Sequence, residues 1–585
     1  MKKNNILKVV LLAILVAVVF TWIFPTTQYD QTNNVVDGQM LQVGVFTLTS
    51  YVRVLFNYFL HILLTVFAIG AFYGVAYKIP AYRYLLDTIV LKFKGKEKVF
   101  LISIMIITAV IVSLTGFKLG VGILFVFPFI ISLVLLMGYN KLVAASVTVG
   151  SAVVGMIGAT LSTTANDYIN YVLETSYDAE IVSKIFLLAI GLTLLIYNVL
   201  IYASKTKNDT DKVLAFVPTS IEYDEVEVVK KEKKTRKKIN IDFSFITKFF
   251  AKITKPSKEK KTKKTKDKKK DKKKVVKKET KKVEKKSTKK EVTKKVVAKK
   301  EEKKTASKKA APKKKVLAKK STKTKANDNK SDSVKVIKGG NKVKIWPFIV
   351  VFDLLFLIIV LSVFDWSTIF KTTWPTDALN AIKEFEIFGF PIFDKLLGAS
   401  TLYEFGNWSL DAEIPIVIFI FTGILALMYK LSFNKFIDGI LDGMKKAFVP
   451  AITMFIAYLV LIICVQNQLH IAKFFLGITS GLNVITMSIT LMFSGLINMD
   501  IFYVAQTTLP YVRTVISDAS LYPTIAVMTQ AMYGLIMLIA PTSVILIGVL
   551  SYLDIPYLQW IKHIWKLFVE LLVVLLIFFL IVVLI

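Results

Sequence analysis

Long apolar runs are the feature of this sequence that most restricts its fold. A helix needs about 20 apolar residues to cross the ~30 Å hydrocarbon layer, because backbone N–H and C=O groups find no partners in lipid. At that length we predict roughly 10 to 13 crossings, some re-entrant or interrupted. The runs are 7–24, 52–76, 99–114, 121–137, 141–160, 183–203, 345–364, 414–430, 447–469, 472–496, 523–551 and 561–585. The expected fold is an all-α polytopic membrane protein.

The first run follows Lys2, Lys3 and Lys8, a pattern shared with secretory signal peptides. No small-residue cleavage pattern follows it, and it ends in Trp22 and Pro25, with the tryptophan where an interfacial anchor would lie. We therefore predict a retained helix.

The excess of positive over negative charge is confined to one part of the chain. The 585 residues carry a formal net charge of +36 although 54% of them are hydrophobic. Residues 229–345 contain 50 Lys and Arg against 12 Asp and Glu, which leaves 27 against 29 for the rest of the chain. A nearly neutral apolar body is thus joined to a strongly basic segment.

That basic segment lies within residues 206–344 and is a low-complexity, lysine-rich insert. It has too few apolar residues to offset chain entropy, so we predict disorder. The chain then divides into an N-terminal membrane half (1–205), the insert, and a C-terminal membrane half (345–585). Within the insert, residues 239–253 mix aromatics and aliphatics with Lys248 and Lys252. They are either an amphipathic element on the inner leaflet or a patch in a solvated linker.

Basic residues beside the apolar runs predict the orientation. Lysines precede the first run, Lys78 and Arg83 follow the second, and Lys205 and Lys207 close the sixth. The N-terminus and the insert are therefore predicted to be cytoplasmic in a cell membrane. The loop 365–413 is rich in Asp, Glu and Trp and is predicted to be exterior.

Side chains for enzyme chemistry are sparse. Cys464 is the sole cysteine, and His61, His470 and His563 lie on different segments, so no metal site or catalytic triad is indicated. The chain has no phosphate-cradling Gly-Lys-Ser/Thr loop. We expect no enzyme and no cofactor. If the protein moves solutes, a sodium or proton gradient or partner subunits must supply the energy.

Two polar clusters interrupt apolar runs, where an unsatisfied polar group is costly unless it faces a partner or a water-filled cavity. The first offers the candidate substrate-binding residues Gly158, Thr160, Ser162, Thr163, Thr164 and Asn166. A helix-packing face of small residues is an equal interpretation of this cluster. The second offers Gly534, Pro541, Thr542 and Ser543, where the proline removes a helical hydrogen bond and predicts an interrupted helix.

A third polar stretch, 495–510, contains Asn498 and Asp500. It is either a hairpin tip near the membrane midplane or a turn at the membrane edge, and the sequence favours the edge turn.

Several of these segments together resemble a known family. They are Thr21-Trp22-Ile23-Phe24-Pro25, Met137–Val143 leading to Gly158-Ala159-Thr160, and Pro541-Thr542-Ser543 followed by Ile555-Pro556-Tyr557 and Trp560. They are similar to the YfcC/DcuC group of carriers in the ion transporter superfamily. The resemblance implies C4-dicarboxylate or amino-acid carriers with two repeat halves, whose re-entrant hairpins and broken helices form the site. Ser162-Thr163 stand where family members tend to have Asn-Pro. The resemblance therefore supports the carrier class more than it supports a C4-dicarboxylate substrate.

Two functions follow as hypotheses. The first is a secondary active transporter of a small organic anion or amino acid, with its solute between 158–166 and 533–543. The second is a non-transporting membrane scaffold whose basic insert binds anionic lipid or nucleic acid. The insert has few arginines and few aromatics, so its composition favours anionic inner-leaflet lipids over nucleic acid. A homodimer is left open, as is the relative direction of the two repeats.

Overall fold

The computed structural model describes residues 5–29, 35–37, 41–161, 164–176, 180–207, 344–398, 403–408, 413–466, 483–516 and 518–584. Residues 208–343 of the lysine-rich insert therefore lie outside the described residues, as do Ser162 and Thr163.

Helices dominate the chain up to residue 207, because apolar residues recur there over long stretches. A short antiparallel pair, β1 (Thr27–Tyr29) and β2 (Val35–Asp37), follows the first helix. The helices are α1 (Asn5–Ile23), α2 (Val45–Tyr77), α3 (Pro80–Lys92), α4 (Glu97–Thr115), α5 (Phe127–Leu136), α6 (Lys141–Ile157, with a π-helical turn at Ser146–Gly150), α7 (Thr164–Leu173) and α8 (Ile181–Thr206). A 3-10 segment, Gly116–Phe125, joins α4 to α5.

The chain from residue 344 onward is also mainly helical. Its second short antiparallel pair consists of β3 (Glu386–Ile387) and β4 (Phe390–Pro391). The helices are α9 (Trp346–Leu361), α10 (Trp366–Phe370), α11 (Trp374–Glu384), α12 (Ile392–Leu397), α13 (Glu413–Met428), α14 (Phe433–Gln466), α15 (Val484–Ile497), α16 (Ile501–Val515), α17 (Tyr522–Ile536), α18 (Val544–Leu553) and α19 (Tyr557–Leu584).

Within the described residues, 6 helices are long and apolar enough to cross a membrane: α1, α2, α4, α8, α14 and α19. A bent pair, Leu119–Phe125 with Phe127–Leu136, turns by 41° and would bring the number to 7 if it forms one span. The protein is thus a multi-pass, mainly helical membrane protein.

The two longest helices are the most buried of the six long apolar helices, and they pack against each other. α2 and α14 run antiparallel, since Gly70 packs against Gly443 and Ala447 whereas Gly74 packs against Gly439 and Gly443. A Cβ built on Gly74 would lie 2.0 Å from the Gly439 carbonyl oxygen. Only glycine permits this backbone approach, which is how helices pack closely in lipid.

Two helical hairpins flank this pair. Hairpin 1 is residues 97–136. In this hairpin, α4 runs beside α6 in the same direction, because Val112 lies next to Gly155 and Ser113 next to Thr160. The chain must therefore return between them through α5. Hairpin 2 is residues 484–515, in which α15 and α16 are antiparallel and Ser494 Oγ lies 2.8 Å from Thr508 Oγ1.

Two predicted runs are not single helices. The run 121–137 contains the end of the 3-10 segment and α5, because Gly120 has a non-helical backbone (φ 33°, ψ −113°) just before it. The run 523–551 contains α17 and α18, which are separated at residues 537–543 around Pro541.

Candidate functional site

The first predicted cluster lies where α6 ends. We call the described residues that follow α6, 158–161, break 1. The last carbonyls of a helix lack intrahelical partners. Here hairpin 1 supplies one, since Ser113 Oγ donates to the Gly158 carbonyl oxygen at 2.6 Å. In return, the Thr160 N–H donates to the Ser113 carbonyl oxygen at 2.7 Å. The end of α4 therefore caps break 1.

A buried glutamine from the C-terminal part supplies the other partners at break 1. Gln530 on α17 is 1% exposed. Its Nε2 donates to the carbonyl oxygens of Ala159 at 2.9 Å and Ile157 at 3.3 Å. One turn later, a Cβ on Gly534 would lie 2.8 Å from the Ile157 nitrogen. Helices α6 and α17 thus cross with their backbones in contact beside break 1.

The second predicted cluster lies between α17 and α18, at residues 537–543, which we call break 2. Pro541 has no N–H to donate. Thr542 Oγ1 donates to the Leu496 carbonyl oxygen of hairpin 2 at 3.1 Å. Ser543 is the N-cap of α18 and accepts a hydrogen bond from the Leu546 N–H at 3.4 Å. Both breaks are therefore closed by a helical hairpin.

The start of α19 caps the remaining carbonyls of break 2. Trp560 Nε1 donates to the Leu538 carbonyl oxygen at 2.9 Å, and the Tyr557 hydroxyl donates to that of Ile539. Trp560 is fully buried. The start of α19 thus packs against break 2.

The tip of hairpin 2 places polar groups next to break 2. Asn498 Nδ2 donates to Thr507 Oγ1 at 3.1 Å, and the Tyr533 hydroxyl donates to the Met499 carbonyl oxygen at 2.6 Å. Asn498 Oδ1 is buried and has no hydrogen-bond partner within the described residues. Because buried polar atoms are nearly always paired, this oxygen is an acceptor available to a ligand.

Asp500 adds a carboxylate to the same tip. It is the N-cap of α16, where Oδ1 accepts a hydrogen bond from the Phe502 N–H at 2.9 Å. The phenol groups of Tyr458, Tyr503 and Tyr533 lie near this carboxyl group. An ionisable residue among apolar helices indicates a functional site. The structure packs the 498–500 tip against α17 and break 2. The position of this turn at the membrane edge stays a prediction.

An apolar cavity of about 60 Å³ lies between the α2–α14 pair and the second half of the interrupted helix. Its lining includes Tyr73, Pro450 and, from α18, Gly548, Val549 and Tyr552. It is separate from the contact between α6 and α17.

Six of the ten predicted binding residues are fully described. Gly158 and Thr160 lie at break 1, Pro541, Thr542 and Ser543 at break 2, and Gly534 at the helix crossing. Ser162 and Thr163 lie outside the described residues. Thr164 and Asn166 are in the first turn of α7, and their side chains are outside the description.

The candidate list omitted Ser113, Gln530, Asn498 and Asp500. The rule that found the two clusters, a polar residue within an apolar run, applies equally to Ser113 and Gln530.

No family of known proteins, no curated protein and no solved structure matches this chain.

Proposed function

We propose that this protein is a secondary active transporter of a small organic anion or amino acid. The observation that carries the proposal is the crossing of two interrupted helices: α6–α7 and α17–α18 meet where Gln530 and Gly534 contact Ile157 and Ala159. Non-helical backbone inside a membrane is tolerated only when it is buried in protein or lines a cavity. Discontinuous helices of this kind form the solute and ion sites of many secondary transporters.

The order of elements supports an inverted repeat. A hairpin, an interrupted helix and a long helix occur in that order in residues 97–206 and again in 484–584. The long helices α8 and α19 run antiparallel, because Phe186 lies beside Phe578 whereas Tyr202 lies beside His563. An inverted core that begins after the opening helices is compatible with the lysine-based orientation, in which the N-terminus and the insert are cytoplasmic.

Contacts between the proposed repeats are reciprocal. The second half of each interrupted helix packs against the other repeat's hairpin: α7 against α16, and α18 against the 3-10 segment of hairpin 1. In the first pair, Arg513 of α16 donates to the Val172 carbonyl oxygen at 2.8 Å. Such an arrangement lets one hairpin move with the opposite interrupted helix, as alternating access requires.

The N-termini of α7 and α18 indicate the charge of the proposed solute. At break 1 the chain enters α7 at Thr164, and at break 2 it enters α18 at Val544. A helix N-terminus carries a partial positive charge and free N–H groups, so both breaks favour an anionic group such as a carboxylate. Asn498 Oδ1 and the Asp500 carboxylate could accept hydrogen bonds from an ammonium group or interact with a coupling cation.

The test is uptake by the purified full-length chain in proteoliposomes. Radiolabelled dicarboxylates, amino acids and peptides are offered in turn, with a sodium or a proton gradient imposed. We expect saturable uptake of one solute class above empty liposomes, lost when an ionophore removes the gradient.

A Gly534→Val variant should lose this uptake, because the added side chain meets the Ile157 backbone. Gly423→Ala is the matched control, since nothing lies within 4 Å of a Cβ at Gly423. The proposal is wrong if a monodisperse, correctly inserted wild-type protein accumulates no solute under either gradient.

A further inference from the structure

The unit between α9 and α13 exposes apolar side chains that no other described residues cover. β3 and β4 pair through Ile387 and Phe390, and Phe388 and Gly389 form the turn. The large apolar side chains that are more than a third exposed in residues 374–396 are Trp374, Ile382, Phe385, Ile387, Phe388, Phe390, Phe393 and Leu396. Apolar patches of this kind mark contact with a membrane or another protein.

The turn places its most apolar side chain at the outermost point. Phe388 has φ 54° and Gly389 has φ 76°. Two-residue hairpin turns with positive φ at both positions normally use Asn-Gly or Asp-Gly. A phenylalanine in this conformation is sterically unfavourable. The Phe388 side chain is 104% exposed, so no contact with the described residues offsets the strain.

Helix α11 continues the apolar surface along one face. Trp374, Ala378 and Ile382 recur every four residues on that face, and Trp374 and Ile382 are 39% and 38% exposed. Asn380 and Glu384 lie on the opposite face at helical spacing. A helix with an apolar face that the protein leaves exposed and a polar face opposite is typical of elements that lie in the plane of a membrane surface.

The contacts that join this unit to α9 indicate what covers its apolar side chains. Trp366 Nε1 donates to the Leu361 carbonyl oxygen at 3.1 Å, at the end of the apolar helix α9. The Trp366 and Trp374 rings pack at 5.3 Å, so α11 begins beside the end of α9. Tryptophans at the ends of apolar helices sit at headgroup level. An 11-residue helix is about 16 Å long, which keeps the β3–β4 turn within reach of the same bilayer surface.

We propose that residues 374–396 are a membrane-surface anchor. Its apolar face enters the headgroup boundary of the leaflet at which α9 ends and α13 begins, and Phe388 is its deepest point. The anchor also contains Lys383 and Lys395 on the basic side and Asp377, Glu384, Glu386 and Asp394 on the acidic side. Because acidic residues outnumber basic ones, apolar burial drives the contact, and anionic lipid is not required.

The single cysteine makes the test direct. Cys464 is buried and is first replaced in a Cys464→Ala background. Phe388→Cys, Leu396→Cys and, as the matched control on the polar face of α11, Asn380→Cys are then labelled with the fluorophore NBD. Each full-length protein is placed in nanodiscs of phosphatidylcholine, with or without doxyl-labelled lipid and with or without phosphatidylglycerol.

We expect NBD at positions 388 and 396 to be blue-shifted and at least twofold quenched by lipid doxyl groups. The Asn380→Cys label should report water, and phosphatidylglycerol should change none of these signals. Water-like emission at both 388 and 396 would overturn the proposal. A second result would also overturn it: a blue shift without doxyl quenching, together with disulfide cross-linking of Phe388→Cys between two copies. A second copy of the chain, and not lipid, would then cover the apolar face. If the Phe388→Cys protein misfolds, the Leu396→Cys protein still tests the proposal, provided that it is monodisperse.

Discussion

Replacing Gly74 by alanine tests the packing of α2 against α14. The new Cβ would lie 2.0 Å from the Gly439 carbonyl oxygen and 2.7 Å from the Gly443 backbone nitrogen, whereas ordinary contact begins at 3.4 Å. All the obstructing atoms are backbone, so no side chain can turn away. The two longest helices would have to separate along their central contact.

The size of the effect follows from comparison with Gly423 on α13, where a Cβ meets nothing within 4 Å. Gly→Ala in a helix is favourable by about 1 kcal/mol at either position. The difference between the two variants therefore isolates the overpacking at Gly74, which we expect to lower the free energy of unfolding by about 1–3 kcal/mol.

The assay is the midpoint of thermal unfolding of each purified variant in detergent, followed by size-exclusion chromatography after heating. Gly74→Ala should unfold at a lower temperature than the wild type, and Gly423→Ala at the same or a higher temperature. Equal midpoints for the two variants would refute the close antiparallel contact.

Three further variants address the breaks. Gln530→Leu leaves the Ala159 carbonyl at break 1 without its partner, so stability should fall by about 1–3 kcal/mol and uptake should be lost. Trp560→Phe keeps an aromatic ring but removes the hydrogen bond to the Leu538 carbonyl; thermal unfolding should show a loss of the same order. Asp500→Asn can still cap α16 but has no charge, so it should fold normally while its uptake no longer responds to the imposed ion gradient.

A specific result would contradict each of these three predictions. Wild-type stability and uptake for Gln530→Leu would show that break 1 does not depend on α17. An unchanged midpoint for Trp560→Phe would remove the capping role of the indole N–H. Gradient-dependent uptake by Asp500→Asn would exclude this carboxylate from coupling.

The apolar runs were sufficient to predict the class of protein, and Pro541 was sufficient to predict one interrupted helix, because proline removes a hydrogen-bond donor. At Gly158 the sequence left a helix-packing face and a binding site equally open. The mainly helical fold agrees with the prediction. Within the described residues, 6 helices, or 7 with the bent pair, are long and apolar enough to cross a membrane, whereas the apolar runs predicted roughly 10 to 13 crossings.

The partners of the breaks could not be predicted, because they come from distant parts of the chain. Ser113 lies 45 residues before Gly158, and Gln530 lies 371 residues after Ala159. A serine or glutamine in an apolar run is compatible with several packing faces until the helices are placed. The hairpin tip at Asn498 and Asp500 was ambiguous for the same reason, since polarity alone does not give the depth of a turn.

Transport by the membrane body, independent of the insert, is the central claim. It is tested most directly by measuring solute uptake for the wild type and a chain lacking residues 229–340, side by side in matched proteoliposomes. We predict gradient-driven, saturable uptake of the same solute class at the same rate by both. Absence of uptake by both forms across the whole panel would contradict the claim and favour a scaffold whose basic insert does the binding.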